Sequence, residues 1–157
     1  MTIPAGLVLF VCLFLPAVDG CGQAVYPIET PYFWHPYVYG GALALAALAA
    51  TVRGLRVAAF GLRVVAWLAV AGGALMTTFS VGFGIVETML GGVLLAIIGP
   101  RGASEKRVAL TGIAISVLSL LWFGLWAGSA GALVGVYVSL GASIFLLAGS
   151  LLWLSEI

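Results

Sequence analysis

The sequence predicts an all-α, polytopic integral membrane protein, built as a bundle of six transmembrane helices with short loops. Three observations predict it. Apolar residues make up 64% of the 157-residue chain and charged residues only 7%, whereas a soluble domain carries about 25% charged residues. The mean hydropathy is +1.27. The apolar residues also form continuous runs of helical length rather than the alternating pattern of barrel strands.

The composition also excludes several classes of protein. There is too little polar material to cover a water-facing surface, so a soluble domain or a disordered chain is excluded. The net charge is only +1, which excludes a nucleic-acid binder that depends on a basic patch. Two cysteines are too few for a disulfide scaffold.

Four apolar runs are bounded by charged or turn residues: 3–18, 36–52, 64–99 and 108–154. The last two are too long to form one transmembrane helix each. Residues 64–99 would form a helix of about 54 Å, against a hydrocarbon core of about 30 Å. This run and residues 108–154 are therefore predicted to be helical hairpins, with glycine-rich turns at residues 80–84 and 128–131. The whole chain is taken as one transmembrane domain, 1–157, with an outer loop at 19–36. The predicted spans are residues 3–18, 36–52, 64–81, 84–99, 108–127 and 132–154.

The basic residues test the number of spans. They fall in two segments only: Arg53, Arg56, Arg63, Arg101, Lys106 and Arg107. Six spans place both segments on one side of the membrane, and the positive-inside rule makes that side the cytoplasm. The prediction is a plasma-membrane protein, of the bacterial inner membrane, with both termini cytoplasmic. These six residues are expected to set the orientation and to contact lipid.

Small residues recur at every fourth position in several spans, which predicts close helix packing. Such packing arises within one chain or between subunits, so the expected partners are the lipid bilayer and a homo-oligomer or larger membrane complex. The predicted contact faces contain Gly84, Thr88, Gly92 and Ala96 in span four; Gly112, Ser116, Gly124 and Gly128 in span five; and Gly131, Gly135, Ser139 and Ser143 in span six.

The outer loop contains three residues that are candidates for binding a ligand or an ion: Cys21, Glu29 and His35. The leading interpretation is an interfacial cap, because the loop is rich in aromatic and proline residues. The alternatives are docking of a partner and a ligand site. Lipidation of Cys21 is a further alternative, which would remove span one. The spacing of the three residues fits no tight zinc motif and lacks a clear fourth ligand, so no metal site is predicted.

Glu87 is the only acidic residue inside an apolar run. An ionisable residue within a membrane is a functional candidate, and a role in transport or gating is one interpretation. The other is structural, because the predicted spans put Glu87 within about one turn of a helix N-terminus, where the macrodipole favours an acid. The predicted spans contain no basic residue to pair with it.

The sequence favours a structural or accessory membrane protein that acts through helix packing and its outer loop. Catalysis is not expected, because no G-x-S-x-G, P-loop or H-E-x-x-H motif is present. No cofactor is predicted either, since a bis-histidine haem needs two histidines and the chain has one. The alternatives are a small transporter or channel that uses Glu87, and a ligand sensor that uses the outer loop.

Overall fold

The structure is a computed structural model that describes residues 2–30, 34–99 and 104–157. Within these ranges it contains helices α1 (Thr2–Val11), α2 (Trp34–Val52), α3 (Leu55–Met76), α4 (Val81–Ile98), α5 (Glu105–Ala127) and α6 (Val134–Ser155), strands β1 (Val18–Gly20) and β2 (Gln23–Val25), and 3₁₀ turns at Cys12–Phe14 and Pro27–Glu29. Helices α2 to α6 are long and apolar enough to cross a membrane. The predicted all-α bundle is confirmed at this level.

The first predicted span is shorter than expected. Helix α1 and the 3₁₀ turn that follows it cover Thr2–Phe14, which is about 20 Å of helix rather than the 30 Å of a hydrocarbon core. Leu15 is already extended, because Pro16 disfavours the helical conformation of the residue before it. The predicted end of this helix at residue 18 is therefore wrong. That residues 2–14 cross the membrane, as a sixth span beside α2 to α6, stays a prediction.

Helix α3 begins earlier than predicted. The predicted third span starts at residue 64. Instead, Gly54 adopts a positive φ of 88°, which is favourable for glycine, and α3 starts at the next residue. Arg56 and Arg63 are therefore part of a transmembrane-length helix, near the end where their long side chains reach the surface.

The six helices pack mainly as neighbouring pairs. Two hairpins, α3–α4 and α5–α6, are joined through α1 and α2: α1 lies against both α2 and α6, while α2 also contacts α3 and α5. Helix α3 approaches α4 closely at Gly73, where a Cβ atom would lie 2.5 Å from the backbone nitrogen of Thr88 and 2.8 Å from the carbonyl oxygen of Gly84. The two backbones are thus in direct contact, as small residues permit.

The predicted small-residue faces are only partly buried. Gly84, Gly112, Gly135, Ser139 and Ser143 lie in helix interfaces. The buried hydroxyls of Ser116, Ser119, Ser139 and Ser143 donate to carbonyl oxygens four residues earlier, which satisfies them inside an apolar interior. Ser116 is also buried, and Thr88 and Gly131 are half-buried. Four residues of the predicted set are exposed: Gly92, Ala96, Gly124 and Gly128.

Strands β1 and β2 form an antiparallel hairpin at the start of the predicted outer loop. The backbone nitrogen of Asp19 donates to the carbonyl oxygen of Gly131 at 2.7 Å. This bond ties the hairpin to the turn between α5 and α6. We call this end of the bundle, which also contains the start of α2 and the α3–α4 turn, the hairpin end.

Candidate functional site

Glu87 lies deeper in the bundle than the sequence suggested. It is six residues after the start of α4, about 9 Å along the helix, and its side chain is 22% exposed. Its Oε1 accepts a hydrogen bond from the hydroxyl of Tyr39, a buried residue of α2. The carboxyl group is thus held between two helices rather than at a helix end.

His35 also faces the Glu87 carboxylate. Its Nδ1 lies 3.8 Å from Oε2 of Glu87, within ion-pair distance when the imidazole is protonated. Because α2 begins at Trp34, His35 belongs to a helix and not to the predicted outer loop. His35 and Tyr39 are four residues apart, so they share a face of α2. The predicted spans contain no basic residue, but His35 lies one residue before the predicted start of span two and is within reach of Glu87.

Aromatic side chains surround this polar group. The His35 ring packs edge-to-face on Trp122 of α5, with 4.6 Å between centroids. The Trp122 ring in turn packs against the ring of Phe83 of α4, with 6.1 Å between the ring centroids. Trp122 therefore packs against the polar group from the side of α5.

A partly open cavity of about 420 Å³ lies between α2, α3 and α4, beside the three polar residues. Its α3 wall is entirely apolar, and it extends from Val65 to the turn residue Phe79. The residues that line the cavity are Trp34, His35, Val38, Tyr39, Val65, Leu68, Ala69, Gly72, Leu75, Met76, Phe79, Phe83, Val86 and Glu87. Several of them, such as Leu75 and Phe79, are also exposed on the side of the bundle, so the cavity opens there.

The other two candidate ligand residues do not line this cavity. Glu29 accepts a hydrogen bond from the backbone nitrogen of Tyr26 at 3.3 Å, which closes the 3₁₀ turn at Pro27–Glu29. Cys21 is exposed at the tip of the hairpin. The described residues contain no group of three or more His, Cys, Asp or Glu side chains that could hold a metal ion. Of the predicted candidates, the structure brings together only Glu87 and His35.

Two of the predicted orienting arginines bind protein groups instead of only facing lipid. Arg63 Nε donates to the carbonyl oxygen of Gly99 at 3.1 Å, and an Arg107 nitrogen donates to the carbonyl oxygen of Ile98 at 3.2 Å. Both arginines therefore stabilise the C-terminus of α4, where carbonyl oxygens lack helical partners. The two basic segments meet at one end of the bundle, opposite the hairpin end, and we call it the arginine end.

The remaining basic residues have less defined roles. Arg53, Arg56 and Lys106 are exposed at the arginine end, where orientation and lipid contact stay predictions. Arg101 lies outside the described residues.

The fold defines the class of protein as a helical bundle whose long helices are apolar enough to cross a membrane. Comparison with models of protein families, with curated proteins and with solved structures gives no match. The function is therefore inferred from the geometry of the site.

Proposed function

We propose that this chain is a small multi-pass membrane protein that binds a largely apolar small molecule in the cavity beside Glu87 and carries it across the membrane. The single observation that carries the proposal is an acidic side chain inside a long apolar bundle, at the polar end of a 420 Å³ cavity. Ligand pockets are typically about 300–1,000 Å³, mostly apolar, with a few polar groups that fix orientation.

The cavity favours this function over a purely structural role for Glu87. A bond that served only to join α2 to α4 would need no space beside it, and protein interiors are normally close-packed. Ionisable residues within membranes usually face a bundle interior or a pathway for a substrate. In the proposed orientation the arginine end is cytoplasmic and the cavity opens near the outer leaflet.

A screen of ligands tests the proposal. The purified protein, in vesicles with an entrapped pH-sensitive dye, is exposed to neutral, cationic and anionic aromatic compounds. The expected result is that at least one compound raises the unfolding temperature and moves protons across the vesicle membrane. Both effects should disappear in Gly72→Leu, because Gly72 lines the cavity and has space for a side chain.

Gly61→Leu is the matched control. Gly61 lies on the same helix and also has nothing within 4 Å of an added Cβ atom, but it does not line the cavity. It should bind and transport as the wild type does. Failure of every compound to stabilise the protein would contradict the binding function. Stabilisation without movement of protons or ligand would contradict transport and favour a sensor.

An accessory subunit is the second candidate, and the exposure of Gly92 and Ala96 on α4 favours it. An added Cβ atom at Gly92 meets nothing within 4 Å, so this face has room for a helix of another subunit to approach closely. Purification in mild detergent, followed by mass spectrometry, tests this function. A stoichiometric partner that is lost in Gly92→Leu would support it, and recovery of the chain alone would contradict it.

A further inference from the structure

We propose that the ligand of the cavity is a lipophilic organic cation with a single positive charge and an aromatic or aliphatic body. This inference rests on the proposed binding function and adds the chemical class of the ligand. It follows from the charge of the cavity, from the type of its aromatic walls and from the ligand groups that the cavity lacks.

The charge of the cavity favours a cation. Glu87 is the only acidic residue among the described residues that line it, and none of them is Lys or Arg. Arg63 and Arg107 donate to carbonyl oxygens at the C-terminus of α4. Gly99, which accepts from Arg63, is twelve residues after Glu87, or about 18 Å along the helix axis. In a medium of low dielectric constant, a carboxylate without a nearby permanent cation attracts a positive ligand and repels an anion strongly.

The carboxylate also has free acceptor capacity. A carboxylate offers about four acceptor positions, and the Tyr39 hydroxyl occupies one of them. His35 lies 3.8 Å from the second oxygen, which is too long for a hydrogen bond. A bound cation therefore reaches Glu87 without breaking the bond that joins α2 to α4.

The walls of the cavity suit an organic cation rather than a metal ion. Four of the described residues that line it are aromatic: Trp34, Tyr39, Phe79 and Phe83. Aromatic faces attract ammonium-type cations, and aromatic cages are a recurrent way to bind quaternary groups. A hard metal cation needs about six or more oxygen ligands, whereas the polar side chains among the described lining residues are one carboxylate, one hydroxyl, one imidazole and the indole N–H of Trp34.

The same inventory disfavours the headgroup of a phospholipid. Choline and ethanolamine headgroups carry a phosphate beside the ammonium group, and phosphate recognition relies on Arg, Lys or clustered backbone N–H groups. The described lining residues include no Lys or Arg. We therefore assign the cavity to a free organic cation.

Binding of tetraphenylphosphonium tests the inference, with tetraphenylborate as an anion of matched shape. Equilibrium dialysis of the purified full chain in a maltoside detergent measures both affinities. We expect tetraphenylphosphonium to bind more tightly than tetraphenylborate, and Glu87→Gln to weaken it about tenfold or more. Glu87→Asp keeps the charge on a shorter side chain, so it should bind more tightly than Glu87→Gln. Glu156→Gln, at an exposed acid near the C-terminus, should bind as the wild type does.

The outcomes separate the two proposals. Equal binding of the two ions, lost in Gly72→Leu, would overturn the assignment to cations and leave the cavity as a ligand site. Tight binding of tetraphenylphosphonium that survives Glu87→Gln would overturn the assignment as well. Size-exclusion profiles and helical circular dichroism identify variants that fail to fold. If Glu87→Gln does not fold, the affinities of the two ions for the wild-type protein and for Gly72→Leu still decide whether the cavity prefers a cation.

Discussion

Glu87, His35 and Tyr39 show at the scale of single residues how an acid is accommodated in an apolar bundle. The Tyr39 hydroxyl donates to one carboxylate oxygen, and the His35 ring lies near the other. This arrangement compensates part of the cost of removing a carboxylate from water. It leaves one side of the carboxylate open to the cavity, where the proposed cationic ligand would compensate the remaining cost of desolvation.

Affinity for tetraphenylphosphonium should fall as the pH is lowered and the carboxyl and imidazole groups take up protons. Among the described residues at the site, α2 contributes His35 and Tyr39, α4 contributes Glu87, and neither α3 nor α5 adds a titratable lining group. Protonation of Glu87 removes the negative charge, and protonation of His35 adds a positive one, so both weaken the binding of a cation. Dialysis at several pH values measures the effect, and tighter binding at low pH would contradict it. Glu87→Gln should show a flatter profile.

Removal of an arginine at the end of α4 should destabilise the protein. Arg107→Met loses a charged donor to the Ile98 carbonyl oxygen, with an expected cost of about 1 kcal/mol because the site is partly solvated. Arg56→Met, at an exposed position of α3, is the control and should have little effect. Unfolding in a mixed-detergent titration measures both, and an equal cost for the two variants would show that the capping bond is unimportant.

The sequence identified Glu87 but not its partners. Glu87 stands out because it is the only acid in an apolar run, whereas His35 was assigned to a loop that ended one residue later. The missing information was a contact between residues 48 positions apart, which no local pattern encodes. A usable signal existed: His35 and Tyr39 lie four apart at the start of an apolar helix and present two polar groups on one face.

At the scale of helices, contact between backbones decides where a glycine is required. Gly72 and Gly73 are adjacent on α3, but only Gly73 is packed against α4. Gly73→Ala should destabilise the protein by about 1–3 kcal/mol, because the methyl group would overlap the backbone of Thr88. Gly72→Ala should be neutral or slightly stabilising, because alanine favours helix more than glycine.

The same unfolding titration compares these two variants. A stable Gly73→Ala protein would contradict the close approach of α3 to α4.

The difference between neighbouring glycines also explains why spacing alone predicted the contact faces incompletely. Every fourth position in α4 includes Gly92, which is exposed, while the buried Gly91 contacts α3 one position earlier. A single helix does not specify which of its faces meets a neighbour, since lipid and helix are both apolar surroundings.

The boundary between α5 and α6 was predicted well, whereas the end of the first helix and the start of α3 were not. The turn between α5 and α6 falls where the glycine-rich segment suggested. The start of α3 was missed because Arg56 and Arg63 interrupt the apolar pattern, although long basic side chains extend from a helix to the surface. Pro16 did not enter the prediction of the first span, yet it sets the end of that helix.

At the scale of the whole molecule, the orientation in the membrane is open to a direct test with native residues. Cys21 is exposed in the hairpin and Cys12 is buried. A membrane-impermeant maleimide should therefore label Cys21 in intact cells, because the basic residues place the hairpin end outside. Cys21→Ser should abolish the labelling and Cys12→Ser should keep it. Labelling only after lysis would reverse the orientation.

The measurement that tests the central claim most directly is photo-crosslinking with a diazirine-substituted tetraphenylphosphonium, with the labelled peptides located by mass spectrometry. The account predicts labelling of α3 between Val65 and Phe79 and of α4 near Glu87, and protection by excess unlabelled tetraphenylphosphonium. Labelling should be lost in Gly72→Leu and retained in Gly61→Leu. Labelling spread over the lipid-facing sides of α5 and α6, without protection, would contradict the claim that this cavity is a binding site.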